Sequence, residues 1–241
     1  MNTNIFLMSG RGERFKKNNY KVPKHFLKLS NGRYIIDEII YNSPEASQTI
    51  FVINDELKKN ELFNNWISSL KFEFEVHNVG SYTDGQASSF NSTKPIVDKN
   101  SKIFVSPCDT VIFSPKVKNI FNLDVDYAAV TAKPTNFQIE NCAQYGWIQS
   151  SNKDYKIFCK ERPKIFSKSN VILGFFYFRN FAIFETAYND MVRKNLKVNN
   201  EYYLDKLLEV LNTQKHSFKE VNIKNYISLG TPKEYELNKN V

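Results

Sequence analysis

Ile5-Phe6-Leu7-Met8-Ser9-Gly10-Arg11-Gly12-Glu13-Arg14-Phe15, with Pro23-Lys24 following, is the stretch on which the reading of this chain turns. The apolar run from Ile5 to Met8 ends abruptly in two closely spaced glycines, the pattern of a buried strand entering a tight loop. Glycines let backbone approach a ligand and turn N–H groups into a concavity that suits phosphate oxygens. Arg11, Arg14 and Lys24 are close in sequence; arginine grips phosphate oxygens in pairs and lysine offers a point charge. Neither GxxxxGK[ST] nor GxGxxG is completed, since Phe15 holds the sixth position of the second pattern. An ordinary tight turn would use the same two glycines.

Outward from this loop, buried strands and helical spacing alternate. Residues 34–41 have helical spacing, with Ile35, Ile36, Ile39 and Ile40 as the apolar set. Residues 49–53 form a second strand, and Asp55 is placed to cap a helix running through Leu62 and Trp66. Residues 72–79 read as a third strand, followed by the loop Gly80-Ser81-Tyr82-Thr83-Asp84-Gly85-Gln86, after which helical spacing resumes. Residues 102–105 and 126–131 are further strands. This alternation predicts an α/β fold with a Rossmann-like, mixed but mostly parallel sheet flanked by helices. The second half is expected to be richer in strands, at 145–149, 156–159 and 171–178, before a helix over 200–212. No Pro/Gly/Ser-rich linker separates the halves, so residues 1–241 read as one domain.

Composition narrows the function. The chain has 33 Lys+Arg against 25 Asp+Glu, a net charge of +8, which favours polyanionic partners. The basic residues are spread along the chain without a block or an aromatic-basic motif, so nucleic acid is not the expected partner. Cys108, Cys142 and Cys159 are too scattered for a disulfide framework or a structural zinc site. With no apolar run of membrane-spanning length and no signal-peptide pattern at Met1–Asn4, the expected compartment is the cytoplasm, without membrane insertion. Only 8 glycines occur, against roughly 17 expected from average usage, so their positions carry information.

The glycine loop and the Pro23-Lys24 pair resemble the opening signature of the nucleotidyltransferases related to sugar-nucleotide pyrophosphorylases. Further matches follow in order, covering roughly residues 4 to 236. Thr83-Asp84-Gly85-Gln86-Ala87 resembles the loop that approaches the nucleotide base; the same residues also read as a helix start with Asp84 as its cap. Tyr145-Gly146-Trp147-Ile148 resembles a Y-G strand at the acceptor. Lys160-Glu161-Arg162-Pro163 resembles an E-K-P motif, with Arg162 in place of lysine. The apolar strand containing Gly174, the segment Asn200-Glu201-Tyr202-Tyr203-Leu204 and the closing Gly230-Thr231-Pro232 complete the set.

The resemblance implies transfer of a nucleoside monophosphate from an NTP to a phosphorylated small-molecule acceptor, either a sugar 1-phosphate or a phosphorylated alcohol or amine. Pyrophosphate would leave, and the product would serve surface polysaccharide synthesis. It implies that residues 1–130 bind nucleotide, through Met8, Ser9, Gly10, Arg11, Gly12, Gly85 and Gln86, with Arg14 and Lys24 as the catalytic cations. Residues 131–241 would bind the acceptor through Gly146, Glu161, Arg162, Gly174 and Glu201. Asp109, at the carboxyl end of a buried strand, would hold Mg²⁺. Self-association is left open. Two positions depart from the pattern. Glu13 stands where the family has a small hydroxyl residue, and Ser228 where many members have a second metal-binding aspartate. Both departures favour the alternative of a nucleotide-binding regulatory pseudoenzyme of the same fold.

Overall fold

The computed structural model describes residues 1–151 and 154–240. Its strands are β1 (Asn2–Leu7), β2 (Gln48–Ile53), β3 (Glu75–Asn78), β4 (Lys102–Ser106), β5 (Thr110–Ile112), β6 (Tyr127–Ala132), β7 (Gly146–Ser150), β8 (Tyr155–Cys159), β9 (Asn170–Phe178), β10 (Phe218–Ile223) and β11 (Tyr226–Ser228). Its α-helices are α1 (Glu13–Lys17), α2 (Ile35–Asn42), α3 (Asp55–Lys58), α4 (Glu61–Ser69), α5 (Gln86–Asn91), α6 (Pro115–Lys118), α7 (Asn136–Glu140), α8 (Phe181–Arg193), α9 (Leu204–Thr213) and α10 (Pro232–Asn238).

The main sheet runs β10-β6-β9-β4-β1-β2-β3, and β5 and β11 form a separate antiparallel pair. β1 pairs in parallel with β2 and β4, β2 with β3, and β10 with β6. β9 is antiparallel to both β4 and β6. The fold is therefore the expected mixed, mostly parallel α/β sheet. Its central strands β1, β2, β4, β6 and β9 are buried on both faces. Phe6, Phe51 and Phe104 point into one core with the helix residues Ile35, Ile36, Ile39, Phe63 and Trp66. Ile5, Leu7, Ile50, Val52, Ile103 and Val105 point into the other, against Phe90, Phe184, Leu207 and Leu211. Two covered faces explain why these strands read as unbroken apolar runs rather than alternating ones.

β9 organises the site. One edge pairs with β6 along most of its length. The other edge changes partner: residues 170–172 pair with β7 and residues 176–178 with β4. The change occurs around Gly174, whose φ of +83° a side chain rarely adopts and where a Cβ would meet Pro107 Cγ at 3.3 Å.

Several boundaries differ from the sequence expectation. The helix expected from Asp55 is two helices, capped by the Asn54 and Asn60 side chains at 2.8 and 3.2 Å. The third strand is only β3; Phe72 is exposed. The helix expected over 200–212 begins at Leu204, because Asn199 and Asn200 adopt left-handed φ of 49° and 64° and Val198 bridges back to Glu201. α8 lacks a sequence signal as clean as its neighbours', although Asn180 caps it at Ile183 N, 3.1 Å.

The second core centres on Phe90, which is fully buried and stands 4.0 Å from the Phe184 ring, centroid to centroid. Phe90→Ala should destabilise the protein by about 3–5 kcal/mol, read from urea unfolding. A loss under about 1 kcal/mol would mean that this cluster repacks freely.

Candidate active site

The carboxyl ends of β1, β2 and β4 converge where ligands bind in open α/β sheets. β1 delivers the loop 8–12. Met8 N donates to Val52 O at 2.8 Å, and Asn54 Nδ2 donates to Ser9 O at 3.0 Å, so the loop is tied to the end of β2. β4 delivers Pro107, Cys108 and Asp109. A cavity of about 510 Å³ opens here. Its walls bring together Gly10, Arg11, Gly12, Arg14, Lys24, Gln86, Asp109, Gly146, Gly174 and Glu201. Ser9 and Gly85 line an adjoining cavity of about 130 Å³ with Tyr82, Thr83 and Ser89. There Ser89 Oγ lies 2.9 Å from Ser9 Oγ and 2.6 Å from Thr83 Oγ1, a chain of hydroxyls at the cavity wall. Met8 is buried and faces a third cavity, behind the glycine loop.

Lys24 and Asp109 are bound to each other. Lys24 Nζ donates to Asp109 Oδ2 at 2.7 Å, with both side chains largely withdrawn from solvent. Burial opposes both charges, but each partner outweighs that penalty for the other: Lys24 is held above its ordinary range and Asp109 below its own. Glu13 does not aim bare charge at the loop, because it pairs with Arg11 Nη1 at 3.6 Å with both side chains exposed. Such an exposed pair contributes little to stability.

Gly85 closes the two halves of the site. Its φ is +98°, and a Cβ would stand 2.8 Å from Tyr202 O and 2.9 Å from Glu201 Cβ. Tyr202 N donates to Asp84 O at 2.7 Å and Ala87 N to Tyr202 O at 3.0 Å. The glycine is needed for this backbone-to-backbone approach, which carries Glu201 to the cavity wall. Asp84 does not cap α5; its carboxylate pairs with Lys197 at 2.7 Å, and Gly85 occupies the cap position.

Glu161 and Arg162 are not brought to this cavity. Both are exposed, and the Arg162 guanidinium stacks 5.3 Å from the Phe166 ring. Their neighbour Lys160 lines the wall instead. It adopts φ 58°, donates from Nζ to Gln144 O at 3.0 Å and lies 4.7 Å from the Tyr203 ring. The positive φ turns Lys160 inward and leaves the next two side chains outside.

Two further wall residues, Glu234 and Asp205, lie outside the motifs quoted above. Glu234 is buried and accepts from Tyr145 Oη at 2.7 Å and Thr231 Oγ1 at 3.0 Å. Burial first, then the Glu234 charge, push the Tyr145 hydroxyl well above its ordinary range. Asp205 is also buried and lies against Gly146, where any Cβ would overlap its carboxylate. The signal for Glu234 was legible: Thr231-Pro232-Lys233-Glu234 is a capping pattern. Asp205 had no comparable signal, since an acidic residue in the first turn of a helix is ordinary.

A profile of the nucleotidyl transferase family matches residues 3–235, so the chain belongs to that family. Its fold is similar to a nucleoside-diphosphate-sugar pyrophosphorylase from Vibrio cholerae RC9, with TM-score 0.77, 18% identity, and 97% of this chain and 98% of that chain covered. It is also similar to the inositol-1-phosphate CTP transferase from T. maritima, with TM-score 0.74, 18% identity and coverage of 97% and 91%. A UTP-bound UGPase from Acinetobacter baumannii aligns with TM-score 0.70, 13% identity and coverage of 98% and 91%. No curated protein sequence matches the chain significantly. No helix among the described residues is long and apolar enough to cross a membrane.

His25, next to Lys24, has a pH signature. It is buried, and neither ring nitrogen finds a hydrogen-bond partner among the described residues. Burial, then the Lys24 charge, push its pKa down to about 3. The unfolded chain takes up this proton near pH 6.5 and the folded chain does not, so stability falls as pH drops through that interval. Between pH 6.5 and 4.5 the group should cost about 2 kcal/mol of unfolding free energy. In His25→Leu this part of the slope should vanish in urea titrations at the two pH values; an unchanged slope would show that His25 protonates readily in the folded protein.

Proposed function

We propose that the chain is an active Mg²⁺-dependent nucleotidyltransferase. It joins the NMP of an NTP to a phosphorylated small-molecule acceptor, a sugar 1-phosphate or a phosphorylated alcohol or amine. Pyrophosphate leaves, and the product serves as an activated building block for a surface polysaccharide. The observation that carries this reading is the single cavity that joins the glycine loop and its arginines to Asp109 and, across Gly146 and Gly174, to Glu201. Such a cavity can hold two polyanions end to end.

In this reading the triphosphate lies against residues 10–14, and the base enters the adjoining cavity near Gly85 and Gln86. An acceptor phosphate oxygen attacks the α-phosphorus in line; the bond to the β-phosphate oxygen breaks, and pyrophosphate carries the electron pair away. Catalysis rests on positioning and on offsetting charge repulsion, so no covalent enzyme intermediate is needed. Arg14 and Lys24 neutralise phosphate charge, and Lys24 becomes available once it leaves Asp109.

Magnesium takes hard oxygen ligands, and one or two carboxylates with water and phosphate oxygens suffice. The residues present fit this. Asp109 Oδ2 lies 3.4 Å and Glu234 Oε2 3.7 Å from where a Cβ on Gly230 would stand, so two carboxylates flank one glycine. Asp109 would hold the ion, which when bound supplies charge neutralisation at the triphosphate.

The test is pyrophosphate release over four NTPs with a panel of phosphorylated acceptors and Mg²⁺. Turnover of at least one pair is expected. Asp109→Asn should lower kcat by about 100-fold or more, with NTP binding without metal, read by calorimetry, retained. NTP binding with no turnover of any pair would sink the enzyme reading in favour of the pseudoenzyme. A near-normal rate in Asp109→Asn would show that the metal is held elsewhere.

A further inference from the structure

The cavity is electrically divided. Arg11 and Arg14 stand at the glycine-loop end. At the other end are the carboxylates of Glu201 and Asp205, with Lys160 as the one facing cation among the described residues, while Glu234 lies beside Asp109. Lys160 pairs with neither carboxylate. Its ammonium is held by the Gln144 carbonyl at 3.0 Å and the Tyr203 ring at 4.7 Å. Two carboxylates against one lysine leave this end with an excess of negative charge, although the substrate that must enter it is itself an anion.

Asp205 shows what offsets that charge. It is 5% exposed and makes no ion pair among the described residues. The thiol of Cys159 faces it, a weak donor whose own ionisation is suppressed by burial and then by Asp205 itself. A buried carboxylate without an ion pair is costly, and the first turn of α9 offsets only part of that cost. The fold nevertheless keeps it at the wall, with a side-chain-free residue, Gly146, where its carboxylate lies. The Gln144 side-chain oxygen, on the same cavity wall, is buried without a donor among the described residues. Glu234 is already satisfied by two hydroxyls. Asp205 thus presents to the cavity a buried carboxylate that no cation among the described residues pairs.

Resting on the nucleotidyltransferase reading, we infer that the acceptor is zwitterionic: a phosphomonoester or phosphonate that also carries a protonated amine, with Asp205 as the residue that recognises the ammonium. The anionic end of such a molecule faces Arg14 and the NTP, and its cationic end faces Asp205 and Glu201. A neutral polyol phosphate would supply hydroxyl donors but would leave the excess charge in place.

Matched acceptors test this. Pyrophosphate release is measured for 2-aminoethyl phosphate against 2-hydroxyethyl phosphate, and for glucosamine 1-phosphate against glucose 1-phosphate, with each of the four NTPs. A charged hydrogen bond of ordinary strength predicts that in at least one pair the amine is preferred in kcat/KM by on the order of 10- to 100-fold. In Asp205→Asn, which keeps shape and removes charge, that preference should fall toward unity through acceptor KM, with NTP KM unchanged. Equal or better use of the hydroxyl member in both pairs overturns the inference and leaves the nucleotidyltransferase reading standing. Preference for the amine that survives unchanged in Asp205→Asn overturns the role of Asp205. If no acceptor turns over while NTP binds, both readings fail. The wild-type ratios stand on their own should the variant not fold.

Discussion

The structure depends on the divided edge of β9. One long, buried, antiparallel strand pairs with β7 over its first residues and with β4 over its last, and the change of partner leaves a break in the sheet at Gly174. The cavity occupies that break. β4 ends there, releasing Pro107 and Asp109, and β7 begins there with Gly146. Because β9 is hydrogen-bonded to β6 along its other edge, the break costs little in cohesion, and the two cores on either face of the sheet hold its walls at fixed separation. A site built between sheet elements is more rigid than one built on loops alone.

Two loops then complete it. The glycine loop is bound to the end of β2, and Asp84 and Ala87 are bound to Tyr202 by paired backbone hydrogen bonds. The second link joins the part of the chain that carries the nucleotide motifs to the part that carries the acceptor motifs. A side chain at Gly85 would therefore press on the Tyr202 backbone and on Glu201 Cβ directly. The Lys24–Asp109 ion pair sits between these loops. It keeps two opposite charges paired in a largely enclosed place, and a polyanion with its cation is the kind of ligand that can exchange for both partners.

Much of this was legible in the sequence. The strand-then-glycine pattern at residues 5–12 and the alternation after it gave the sheet, because buried parallel strands have apolar runs that polar loops interrupt. Six glycines stood out, at 10, 12, 85, 146, 174 and 230, and all six line the cavities described above. The reasons differ from ligand approach alone: Gly85 makes room for the Glu201–Tyr202 backbone, and Gly146 for Asp205. What was not legible depends on a single torsion or on distant packing. The positive φ of Lys160 decides which side chain of the 160–162 segment faces the cavity. The left-handed pair Asn199–Asn200 delays the helix and places Glu201 in a loop. Asp205 looks like an ordinary first-turn acid until β7 is packed against it.

The most direct test of the account is a structure of the protein with Mg²⁺ and a non-hydrolysable NTP analogue. It should place the triphosphate against residues 10–14 and the base beside Gly85, with Lys24 Nζ withdrawn from the 2.7 Å contact with Asp109 Oδ2. A nucleotide bound elsewhere, or bound here with the Lys24–Asp109 pair intact, would contradict it.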